Sequence, residues 1–129
     1  MAFAHLTLAT RDVARTAGFF EKALRWPRVS SPGNAPKELD VAWVEIAPGQ
    51  QIHILKIDGF QPSAFENEFG RHFAVFHPLA DFAALKRRLV EQGATLEDPI
   101  RPTPFERFFF RDPNGYVFEV IAREQYVRE

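Results

Sequence analysis

Apolar and polar residues alternate from Phe3 to Ala9, and the period then changes: Val13, Ala17, Phe20 and Leu24 recur at spacings of four, three and four. The first pattern predicts a strand with one buried face. The second predicts an amphipathic helix, with Asp12 placed to cap it. Three strand-like pieces follow, a short one near residues 28–30, then 41–46, then 51–57, the last two joined by the turn Ala47-Pro48-Gly49-Gln50. The same order returns in the second half. Arg71 to Phe76 predicts a strand, and Leu79, Phe82, Leu85 and Leu89 predict a helix closed by Gly93. Residues 96–100, 107–111 and 116–122 predict three more strands, the last pair joined by the hairpin turn Asp112-Pro113-Asn114-Gly115. Ser31 to Lys37 predicts a loop, and Asp58 to Gly70 a connector between the halves.

Each half therefore has the order βαβββ, an internal repeat at an offset of 66 to 67 residues. One helix covers one face of a sheet and leaves the other face needing a partner. The expected architecture is α+β, a single domain over residues 1–129. Module one spans 1–60 and module two 70–125, and the two pair into a half-barrel around a shared cavity. Pairing within one chain and exchange between two chains are both open to this sequence.

Composition narrows the classes. With 129 residues, 46% apolar residues, 26% charged and a net charge of −1, the chain fits one globular domain. Fourteen Phe provide volume for a large core or for an aromatic-walled cavity. The absence of cysteine excludes disulfides, thiolate nucleophiles and thiolate metal sites, and predicts a reducing, cytoplasmic setting. No basic region precedes an apolar run at the start, and no run reaches about 18 apolar residues, so neither secretion nor a membrane partner is expected. Sixteen basic residues spread among seventeen acidic ones argue against a nucleic-acid partner. The cluster Lys86-Arg87-Arg88 is expected to be the wet face of a helix.

Four polar residues stand at repeat-related places. His5 and His72 are 67 residues apart in the opening strands, and His53 and Glu119 are 66 apart in the closing strands. Each has apolar neighbours that pack under a helix, so strand alternation directs the four toward the shared space. A single strand histidine is more often hydrogen-bonded core than a ligand. Glu119 between Phe118 and Val120 is different, because desolvating a carboxylate costs several kcal/mol unless it is paired or bound to a cation. One divalent cation held by three imidazoles and a carboxylate gives all four a common cause. That donor set suits zinc, nickel, cobalt, iron(II) or manganese.

The segment from His5 through Thr7 and Asp12 to Leu24, the strand with His72, the helix ending at Gly93, and Asp112-Pro113-Asn114-Gly115-Tyr116 followed by Glu119 together resemble the vicinal oxygen chelate superfamily. Its members include glyoxalase I, methylmalonyl-CoA epimerase, fosfomycin resistance enzymes, extradiol dioxygenases and bleomycin resistance proteins. The resemblance spans essentially the whole chain. It implies one metal per site with His5, His53, His72 and Glu119 as ligands, a small-molecule substrate and a homodimer. It also implies that Glu119 is catalytic, leaving the metal to act as base. His53 departs from the Glu or Gln that glyoxalase and epimerase members often carry there.

The expected activity is that of a glyoxalase-like lyase, isomerase or epimerase, in which the metal chelates vicinal substrate oxygens and stabilises an enediolate or oxyanion. Thr7, Trp43, Arg107 and Phe109 are the substrate-contact candidates. Arg107, with Phe109 on the same face, could clamp an anion, although an arginine on a strand is just as often a surface charge, and Trp43 could wall the cavity or fill core. A fosfomycin-type thiol transferase and an extradiol dioxygenase are the alternatives. The first is disfavoured by Arg101-Pro102-Thr103-Pro104-Phe105-Glu106-Arg107 at the pocket strand, and the second by a fourth protein ligand. A bleomycin-resistance-like protein that binds an aromatic drug without catalysis is the reading from a different class.

Overall fold

The computed structural model describes residues 1–30 and 40–126, so the loop expected over Ser31 to Lys37 lies outside the described residues. The chain forms two compact units, Met1–Gln61 and Pro62–Glu129.

In the first unit, β1 (His5–Thr10), α1 (Val13–Leu24), β2 (Arg28–Val29), β3 (Val41–Ala47) and β4 (Gln50–Lys56) follow one another. The sheet order is β1-β4-β3-β2, with β1 parallel to β4 and the other pairs antiparallel. Alternation sorts the side chains. Leu8, Ala42, Val44, Ile52 and Ile54 are buried on the face toward α1, whose Val13, Ala17, Phe20 and Leu24 are buried in turn. The Asp12 side chain accepts the N–H of Arg15 and starts the helix. At its other end Arg25 adopts a left-handed conformation, and the N–H of Trp26 bonds back to the carbonyl of Phe20.

The second unit repeats the order with β5 (Phe73–His77), α2 (Phe82–Glu91), β6 (Thr95–Glu97), β7 (Arg107–Arg111) and β8 (Val117–Ala122) in a sheet ordered β5-β8-β7-β6. Again the first strand is parallel to the last, and the remaining pairs are antiparallel. The fold class is α+β, two βαβββ modules.

Among the boundaries that differ from the sequence expectation, three have a local reason. His72 stands one residue before β5, because Arg71 forms an isolated bridge with Glu66 instead of joining the ladder. A 3-10 turn at Leu79–Asp81 precedes α2, since the Asp81 carboxylate is taken by His77 and Arg88 rather than capping the helix. The strand expected over 96–100 ends at Glu97. Pro99 has no N–H to donate, and the N–H groups of Ile100 and Arg101 go to Glu68. Among the described residues no helix is long and apolar enough to cross a membrane.

Candidate functional site

In the first unit, ladder register puts four of the expected residues on the face away from α1. Thr7 and Trp43 both pair with His53, while His5 pairs with Gln51. The rings form a stack. Trp43 lies parallel to His53 at 3.8 Å between centroids, and His5 lies on the other side at 3.9 Å. Nε2 of His53 is 3.0 Å from Oε1 of Gln51. Partial burial lowers the pKa of His53, and the neighbouring His5 lowers it further, so the imidazole is held toward its neutral form. Thr7 is exposed beside it, and Trp43 is half-buried.

In the second unit, Phe109 pairs with Glu119 across β7 and β8. The carboxylate of Glu119 is buried and engaged at both oxygens: Oε1 is 3.3 Å from Nε2 of His72, and Oε2 accepts a 2.9 Å hydrogen bond from Arg107. Arg107 is buried too. Its guanidinium also reaches Oε2 of Glu68 at 3.0 Å and the carbonyl of Arg101. The expectation of Arg107 as a clamp for a substrate anion meets a guanidinium already held by two carboxylates of its own chain. Phe109 is buried beneath it, 5.2 Å from the guanidinium and edge-on to His72 at 5.3 Å.

Glu68, not singled out from the sequence, completes this cluster. Desolvation pushes its carboxyl up, but hydrogen bonds from the N–H groups of Ile100 and Arg101 and from Arg107, with that cation's charge, bring it below its ordinary value. A signal was present in the segment Phe65-Glu66-Asn67-Glu68-Phe69, where two carboxylates alternate inside an aromatic pair. Gln51 could have been found by alternation, since it lies two residues before His53 on the same strand.

The arrangement can be tested against a metal ion. Nδ1 of His72 is buried with no hydrogen-bond partner among the described residues. Two donors about 2.1 Å from one ion stand about 3.0 Å apart in an octahedron and about 3.4 Å in a tetrahedron. The 3.3 Å between His72 and Glu119 falls in that interval. The pair fits in donor type and spacing. His5 and His53 fit in donor type, but stacked rings do not converge their nitrogens on a point. Among the described residues no group of three or more such side chains is gathered in metal-binding geometry. Arg107 further accounts for the buried charge of Glu119 without any metal.

A family model described as the glyoxalase/bleomycin resistance protein/dioxygenase superfamily matches residues 2–120. A search of curated protein sequences finds no match. Among solved structures, the chain is similar to a variant of the fosfomycin resistance protein FosX from Listeria monocytogenes in complex with Mn(II) and dihydroxypropylphosphonic acid. The identity is 22%, 96% of this chain and 95% of that chain are covered, and the TM-score is 0.76. FosX from Mesorhizobium loti is similar at 19% identity, with 94% and 90% covered and a TM-score of 0.72. A structure assigned to the glyoxalase family from Bacillus anthracis gives 21% identity, 94% and 93% covered and a TM-score of 0.74. Identities this low speak to the fold alone. Two βαβββ modules and a family match over nearly the whole length agree, and the chain belongs to the glyoxalase/bleomycin resistance protein/dioxygenase superfamily.

Proposed function

We propose that this chain is a metal-dependent small-molecule enzyme of the glyoxalase-like type. The observation that carries the reading is the approach of Nε2 of His72 to the buried carboxylate of Glu119 at 3.3 Å, the other nitrogen of that ring having no hydrogen-bond partner among the described residues. His72 and Glu119 would hold one divalent transition metal, and His5 and His53 are the candidate nitrogen donors that the other unit offers. A bound ion would supply a Lewis acid for two adjacent substrate oxygens and for the negative charge that develops on them.

The protein's own groups have distinct tasks in this reading. Oε1 of Glu119 is the oxygen available to the ion and, as proton acceptor, to the substrate, because Arg107 holds Oε2. His53, held toward its neutral form, keeps a nitrogen lone pair for ligation. Trp43 fixes the plane of His53 by stacking, and the Thr7 hydroxyl beside it would orient a polar substrate group. A second reading, chemistry on a small phosphonate, draws support from the likeness to FosX, one structure of which carries Mn(II) and a dihydroxypropylphosphonic acid.

The test is metal content per chain by elemental mass spectrometry, on protein made without a histidine tag, alongside His72→Ala. About one transition metal in the parent and little in the variant supports the site and directs screening to hemithioacetals, acyl-CoA epimers, catechols and phosphonates. No bound metal, and no stabilisation by added nickel, zinc, manganese or iron(II), would overturn the enzyme reading in favour of a protein that binds an aromatic ligand.

A further inference from the structure

Arg107, which holds one oxygen of Glu119 in the metal reading, is itself a buried charge. Its side chain is 3% exposed, and its guanidinium contacts Glu119, Glu68 and the carbonyl of Arg101. A guanidinium is a flat, rigid fork of donors, so two carboxylates fix its position and its plane. Glu68 is fixed from its own side, since its carboxylate accepts the N–H of Ile100 at 2.7 Å and of Arg101 at 2.9 Å. Phe109 closes the apolar side of both Arg107 and His72. A chain of contacts thus runs from the backbone of residues 100–101, through Glu68 and Arg107, to one oxygen of Glu119. The other oxygen points to His72.

Resting on the metal reading above, we propose that Arg107 is a positioning residue of the metal centre. By holding Oε2 of Glu119 it presents Oε1 as a single-oxygen ligand beside His72, and Glu68 holds Arg107 in place. A carboxylate without such a tether turns about its last carbon–carbon bond and offers an ion both oxygens or neither. The tether therefore sets how many coordination positions Glu119 fills and keeps one more open for water or substrate. Partners that orient a ligand in this way are worth about 10- to 100-fold in metal affinity.

The experiment uses the full chain without a tag and Co(II) as the probe, read by its visible absorption spectrum and by titration calorimetry. The parent binds about one Co(II) per chain. Arg107→Gln, shown to be folded by circular dichroism, changes the spectrum and binds about 10- to 100-fold more weakly. Arg107→Lys recovers part of the loss, because one ammonium cannot bridge two carboxylates in a plane. Arg111→Gln, on the same strand as Arg107, removes the contacts of Arg111 to Glu97, Glu66 and Gly115 without touching Glu119, and retains the parental spectrum and affinity. That control separates positioning from loss of stability. A folded Arg107→Gln with the parental spectrum and an affinity within about twofold overturns the proposal and leaves the metal reading standing, whereas a parent that binds no Co(II) overturns both. Should Arg107→Gln fail to fold, Glu68→Gln decides: a changed spectrum supports the tether, and a parental one overturns it.

Discussion

Burial pushes the carboxyl of Asp112 up to about 6, against hydrogen bonds to Oδ1 from the N–H groups of Tyr116 and Asn114, and its Oδ2 has no partner among the described residues. The fold disfavours the ionised form. This group's contribution to stability is therefore whole below about pH 4 and is lost as pH rises through about 6. Asp112→Asn keeps an acceptor for both N–H groups and removes the titration. The stability difference between pH 4 and pH 7.5, measured by urea unfolding, should shrink by about 2–3 kcal/mol. An unchanged pH profile would reject this account. Asp81 works in a lower window with the opposite sign. Hydrogen bonds from Arg88 and His77 hold its carboxyl down to about 2, so the stability it adds is present above pH 4 and is lost as pH falls toward 2. The turn motif made Asp112 visible in the sequence, but its orphaned oxygen was not, because that depends on what packs around the turn.

The periods of four, three and four placed α1 at Val13–Leu24 with Asp12 at its start. Asp12→Ala should cost about 1 kcal/mol by removing the acceptor for Arg15 N–H, measurable as a lower urea midpoint with an unchanged slope. At the other end Arg25 occupies a left-handed conformation at φ 60° that strains any residue with a Cβ. Arg25→Gly should raise stability by about 0.5–1 kcal/mol, and a loss on the same assay would mean that the arginine side chain has a further role. The connector holds a tighter constraint. A Cβ on Gly70 would run into the carbonyl oxygen of Phe65, whose partner is the N–H of Arg71. Gly70→Ala should therefore destabilise by about 1–3 kcal/mol and disturb the bridge from Glu66 to Arg71 that leads into β5. Glycine at 70 looked like a mere loop residue in the sequence, since only the closure of residues 65–71 on themselves demands it.

If His72 and Glu119 bind an ion in the folded chain and not in the unfolded one, mass action adds to the stability of the whole protein. A free metal concentration of about 100 times the dissociation constant contributes about 2.7 kcal/mol. Chelator should lower the melting temperature of the parent and leave His72→Ala unmoved. Equal shifts in both proteins would point to an ion bound elsewhere.

The order βαβββ, its repetition and the strand faces of His5, His53 and Glu119 follow from periodicity and alternation, because each is a short-range property of neighbouring residues. The burial of Glu119 between Phe118 and Val120 was equally legible. The cation that pairs with it was not. Arg107 reaches Glu119 through the register of β7 against β8, and Glu68 reaches Arg107 through the fold of the connector onto its own unit, at separations of 12 and 39 residues. The sequence accordingly carried the elements and which faces they bury. How a buried charge is satisfied was set by tertiary packing, since a guanidinium and a carboxylate find each other in space and leave no period along the chain.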